Sequence, residues 1–171
     1  MVATEVEERW RRLAAERRAR WEAPGRIALK LHGHTLRIET RGAQVQLTLT
    51  WTPQLPVDLE VRNLVDEDYW EFFSNPEITF DDDAFDEAVL VRGQSPYHVA
   101  QVLTAEVRTV LLQLRSVHLT RDYLVTSVAL HTQWSDFART VGKAIDDLEH
   151  LTSLLFPQPE RGGGPYRSRG R

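Results

Sequence analysis

Apolar and polar residues alternate with a period of two over four stretches early in the chain. Ile27, Leu29 and Leu31 form the first run, and Leu36 and Ile38 the second. Between them His32-Gly33-His34 reads as the turn of a hairpin. Val45, Leu47, Leu49 and Trp51 alternate with Gln44, Gln46, Thr48 and Thr50, the pattern of a half-buried strand. After Pro53 and Pro56, Val57, Leu59 and Val61 make the fourth run. Such alternation predicts an antiparallel meander with one face turned to helices.

Helical spacing flanks these strands. Over residues 4–21, Val6, Trp10, Leu13 and Trp21 fall near one stripe. Glu5, Glu7 and Glu8 stand at the start and Arg17, Arg18 and Arg20 at the end, an order that suits the helix dipole. Pro24-Gly25 is the expected stop. Near the other end, Phe137, Val141, Ile145, Leu148, Leu151 and Leu155 predict a helix capped by Ser135-Asp136 and stopped at Pro157. Val117–Leu119 and Tyr123–Leu130 predict a hairpin turning near Arg121-Asp122.

The stretch from Ile78 to Leu114 organises the middle. Asp82 or Asp83 caps one helical turn, because Asp side chains bond free backbone N–H groups at helix starts. Ala88–Val91 is a continuous apolar run, as in a strand buried on both faces, and Gly93 is expected to turn the chain with positive φ. Ser95-Pro96 reads as an N-cap with proline at the first helical position. Thr104 is a second cap, so two helices are expected to meet there. The order Phe85-Asp86, Val91-Arg92-Gly93, then Leu103-Thr104 through Leu112 resembles an uncharacterised α+β domain of bacterial proteins. That resemblance implies a fold and no activity.

Composition narrows the class. A chain of 171 residues makes one domain with appendages: a helix over 1–23, an α+β domain over 24–157 and a Gly/Arg tail over 158–171 that cannot pack. It holds no cysteine, so disulfides, thiolate zinc sites and a cysteine nucleophile are excluded. No apolar run reaches the ~18 residues of a membrane span, and no leader-type segment opens the chain. The expected compartment is the cytoplasm. A net charge of −4 argues against nucleic-acid binding by the whole domain.

Candidate chemistry is sparse. His32 and His34 lie two apart with no third ligand nearby, and zinc needs three or four. Asp81, Asp82, Asp83, Asp86 and Glu87 lack the glycine and ligand spacing of a calcium loop, and read better as a helix start. His98, His118, His131 and His150 stand singly. Phosphate-binding glycine loops and nucleophile elbows are absent. No metal or cofactor is expected. Arg161, Tyr166, Arg167, Arg169 and Arg171 could give weak, salt-sensitive binding to nucleic acid.

Residues 63–76 mix Asp66, Glu67, Asp68 and Glu71 with Tyr69, Trp70, Phe72 and Phe73. Aromatics bury large area with few rotors and serve well as interface anchors. The reading that follows is a non-catalytic module docking another protein. Asp68, Tyr69, Trp70, Phe72 and Phe73 would form its contact segment, with Trp10 and Trp21 of the first helix as further contacts. It predicts an exposed apolar patch of several hundred Å² rimmed by charge. A narrower version is an adaptor in bacterial signalling, polarity or motility, acting with a small Ras-like GTPase and using the acids Asp81–Asp83. The competing reading is a metal-assisted hydrolase built on Asp81, Asp82, Asp86 or the His32/His34 pair, which predicts a carboxylate–histidine cluster in one cleft.

Overall fold

The computed structural model describes residues 3–64, 76–131 and 133–157. They form an α+β domain: an eight-stranded antiparallel sheet, an N-terminal helix, and later helices packed on the sheet. Helix α1 (Ala3–Glu16) leads into strands β1 (Arg20–Ala23), β2 (Arg26–Leu31), β3 (His34–Arg41) and β4 (Gln44–Thr50). Then follow β5 (Leu59–Asn63), α2 (Asp83–Asp86), β6 (Val89–Gly93), α3 (Pro96–Val102) and α4 (Ala105–Gln113). Strands β7 (His118–Thr120) and β8 (Tyr123–Ala129) and helix α5 (Trp134–Leu155) end the described chain.

Spatial order in the sheet is β1-β2-β3-β4-β8-β7-β5-β6. The predicted hairpin is β2–β3, with His32 at φ 48° and Gly33 at φ 92° as its two turn residues. Positive φ at both central positions matches the right-handed twist of the strands. The four alternating runs do not form one meander. Strand β4 pairs with β8, so the fourth run, β5, is separated from β4 by two strands, β8 and β7. A period of two fixes which face a residue takes, not which strand sits beside it.

Two helix ends differ from the sequence reading. The first helix stops at Glu16 rather than near residue 21. The N–H of Ala19 bonds the carbonyl of Ala14 and that of Arg18 bonds Ala15, with Arg18 at φ 52°. This is a Schellman stop with arginine where glycine is usual, so the sequence carries no marker for it. Trp21 consequently lies on β1. Helix α5 starts at Trp134 with Gln133 as its cap residue and no side-chain cap bond, and Asp136 lies in its first turn.

The other caps fall where expected. Ser95 precedes Pro96 at the start of α3, and Thr104 caps α4. Gly93, expected to turn the chain, is instead the last residue of β6, and its φ is not positive. Its need is space. A Cβ there would stand 2.7 Å from Val99 Cγ2 and 3.1 Å from the Asp58 carbonyl.

Ile38, Leu47, Leu49, Leu119, Leu124 and Val61 line the covered face of the sheet, and Trp10, Leu13, Phe137, Val141, Ile145 and Leu148 come down on it from α1 and α5. Complete burial of a side chain of this size contributes about 1.5–3 kcal/mol, so α1 is an integral layer. The opposite face carries Arg37, Glu39, Gln46, Thr48 and Ser127. At one end of the sheet Phe156 closes over His34 and Trp51, with ring centroids 4.2 Å and 5.4 Å away.

Candidate docking site

The period of α1 places Val6, Trp10 and Leu13 toward the sheet, and leaves Arg9 at the margin of that stripe. Past the end of β8, the Leu130 N–H bonds the Ala43 carbonyl at 3.0 Å. That bond extends the β4–β8 ladder by one step and fixes Leu130 beside the β3–β4 turn. Phe137, in the first turn of α5, packs edge-on to Trp10 with centroids 5.3 Å apart. Between these elements lies a slot of 190 Å³ lined by Val6, Arg9, Trp10, Ala43, Leu130, His131 and Phe137. Its walls are apolar; Arg9 and His131 are its ionisable lining groups.

The slot adjoins an open cleft along α1, lined by Glu7, Glu8, Arg9, Arg11, Arg12 and Trp134. Arg11 pairs with Glu7 at 2.6 Å and Arg12 with Glu16 at 3.0 Å. The Arg12 guanidinium also lies over the Trp134 ring, 4.6 Å from its centroid. Arg9 lines both cavities, and among the described residues no carboxylate pairs with it. The arrangement can take one apolar side chain into an apolar hole and hold an anion at its mouth.

The residues singled out in the sequence scatter. Asp68, Tyr69, Trp70, Phe72 and Phe73 lie outside the described residues, as do Arg161, Tyr166, Arg167, Arg169 and Arg171. Trp10 is 1% exposed, a wall of the core and of the slot. Trp21 is half-buried, with Arg11 over its ring at 5.5 Å. The exposed large apolar side chains among the described residues are Tyr97 and Leu112, on different helices. Tyr97 and Leu112 do not join into the expected exposed apolar patch, and the accessible apolar surface at the slot is concave.

The hydrolase candidates are occupied elsewhere. His34 is buried, and its Nδ1 accepts the Thr52 N–H at 2.9 Å. Burial holds its pKa below the usual histidine value, with His32 and Lys30 adding to the effect. Both oxygens of Asp86 accept the Phe80 N–H, at 3.0 and 3.1 Å, and one accepts the Asp82 N–H. Asp82 caps α2 and receives Arg108 Nε at 2.8 Å. These bonds build the acidic turn; they do not aim it at a ligand. Among the described residues no group of three His, Asp or Glu side chains is placed to hold a metal ion.

A second cleft was not legible in the sequence. It has a volume of 550 Å³ and lies between α3, the approach to β5 and the end of α5, with Asp58, Gln94, Ser95, His98 and Gln101 as its polar wall. Ser95 Oγ sits 2.8 Å from His98 Nδ1. The two are the cap and third residues of α3, and Ser95 Oγ also accepts the His98 backbone N–H at 3.5 Å, so the contact belongs to the cap of that helix. Among the described residues no carboxylate bonds His98 to orient it as a base.

The chain thus belongs, by architecture, to α+β domains in which helices cover one face of an antiparallel sheet. No protein-family model matches it, and no curated protein does. Among solved structures, the crystal structure of the mycobacterial trehalose monomycolate transport factor A, TtfA, is similar over 91% of this chain and 98% of that one. The TM-score is 0.56 at 8% sequence identity, a likeness of fold.

Proposed function

We propose that this chain is a non-catalytic docking module that binds another protein in the bacterial cytoplasm. The observation that carries the reading is the slot beside Arg9: an accessible apolar hole with, at its margin, a cation that no carboxylate among the described residues pairs. Interfaces draw most of their energy from a few side chains seated in such holes. The commitment of Asp82, Asp86 and His34 to backbone and ion-pair bonds supports the non-catalytic half of the reading. The acidic–aromatic residues Asp68, Tyr69, Trp70, Phe72 and Phe73 offer a second contact of opposite charge. No helix of the described residues is long and apolar enough to cross a membrane.

The test is affinity purification from native cytosol at low and high salt, comparing the full chain with a Trp70→Ala, Phe73→Ala double variant. A stoichiometric partner lost in the variant is the expected result; no partner at either salt overturns the reading. The narrower role, an adaptor for a small Ras-like GTPase, would use Asp81 and Asp83, which remain exposed while Asp82 is held by Arg108. Unchanged nucleotide release from the candidate GTPases would end that version.

A further inference from the structure

The chemistry of the slot specifies what enters it. A cavity of about 150 Å³ lined by aliphatic and aromatic groups holds a benzene molecule, so 190 Å³ between Val6, Trp10, Leu130 and Phe137 has room for one aromatic ring. Among the described residues no carboxylate lines the walls to favour a lysine or arginine tip. Arg9 stands at the margin, half-buried and without a carboxylate among the described residues, while its neighbours Arg11 and Arg12 are each paired within α1. His131 adds a second nitrogen-bearing ring to the lining. Glu7 and Glu8 face the adjoining open cleft and do not line the slot. A partly buried arginine fork with no internal carboxylate is complementary to a carboxylate from outside.

We infer that the slot is the recognition site for an acidic segment of a partner protein, seating one aromatic side chain in the hole and a flanking carboxylate on Arg9. This rests on the docking reading above and gives it a partner chemistry: an aromatic residue within a run of Asp and Glu. The apolar contact supplies grip, and the charge supplies orientation and faster encounter.

Three capped pentapeptides test it against the isotope-labelled full chain by nuclear magnetic resonance titration: Glu-Asp-Phe-Glu-Asp, its neutral counterpart Gln-Asn-Phe-Gln-Asn, and Glu-Asp-Ala-Glu-Asp. The first is expected to shift the amides of Ala43, Leu130, His131 and Phe137 saturably, with affinity falling as salt rises. The other two are expected to bind at least about tenfold more weakly. Two rim variants keep the core intact: Arg9→Glu reverses the charge, and Ala43→Leu fills the hole from the exposed turn. Each is expected to abolish saturable shifts at the slot. Equal binding of the neutral peptide, or shifts that survive both variants, overturns the assignment. A partner that co-purifies equally with the Ala43→Leu chain would overturn it while leaving the docking function standing. Concentration-dependent self-association abolished by Ala43→Leu would overturn it in favour of a second copy of this chain.

Discussion

His34 Nδ1 accepts the backbone N–H of Thr52 across 2.9 Å, which requires the imidazole to be unprotonated on that nitrogen. The ring is 2% exposed and lies against Phe156 and Trp51. Burial, then His32 and Lys30, lower its folded pKa below the ordinary value near 6.5. The unfolded chain therefore binds more protons at this position than the folded one as pH falls below about 6.5. Stability is expected to rise with pH through that window. A His34→Asn variant, which keeps an acceptor but does not titrate, is expected to be less stable at pH 7 and to lose part of the slope. Urea midpoints from pH 5 to 7.5 measure it. The lowered carboxylates act lower down: Glu39, held by Arg41 and Arg26, contributes stability that is lost only as pH falls below the usual carboxylate range.

Arg108 joins α4 to the acidic turn. Its Nε donates to Asp82, Nη1 donates to the Leu103 carbonyl at 3.0 Å, and the guanidinium lies 5.0 Å from the Phe80 ring centroid. Arg108→Ala is expected to cost about 1.5–3 kcal/mol, as for bonds to a charged group in a partly buried site. Asp82→Asn keeps the cap of α2 and should cost less. A double-mutant cycle should return a coupling of about 0.5–3 kcal/mol; additive losses would mean the pair does not act as a unit.

Gly93→Ala is expected to destabilise by about 1–3 kcal/mol, because Val99 and the Asp58 backbone must give way together. Val99→Ala on the same chain should recover part of that loss by clearing the nearer clash. Chemical denaturation of the two variants decides it.

Thr126 sits at 1% exposure on the core face of β8, opposite Leu47, and among the described residues its hydroxyl has no partner. Thr126→Val keeps the shape and the β-branch and removes the unbonded hydroxyl. A gain of about 1 kcal/mol is expected in the urea midpoint analysis.

Arg18→Gly is expected to stabilise by up to about 1 kcal/mol. The residue is exposed and holds φ 52°, where an L side chain costs roughly 1–2 kcal/mol and glycine does not, less the entropy glycine loses on folding. A lowered melting temperature would contradict it.

Local chemistry was legible and neighbourhood was not. Alternation from Ile27 to Trp51 gave the faces of β2, β3 and β4, and Ser95-Pro96 and Thr104 marked two helix starts, because period and capping are properties of adjacent residues. The pairing of Val45 with Val128 joins positions far apart in the chain, and no pattern in either strand names the other. The end of α1 was misplaced because Arg18 does the work of a glycine. The slot escaped for a similar reason. Val6, Ala43, Leu130 and Phe137 come from four elements, and each alone reads as ordinary core or turn.

The insertion of β8 between β4 and β7 also sets the order of events during synthesis. Strands β1 to β4 are complete once residue 50 has been made, yet the outer edge of β4 receives its hydrogen bonds from residues 123–129. Until those residues leave the ribosome, Val45, Leu47 and Leu49 belong to an open edge able to pair with another chain. The nascent protein depends on β8 to close the sheet at the middle, so truncation before Tyr123 removes the central seam and leaves β1–β4 and the β7-β5-β6 half joined, among the described residues, only by the 51–58 connection and its bonds to residues 120–122.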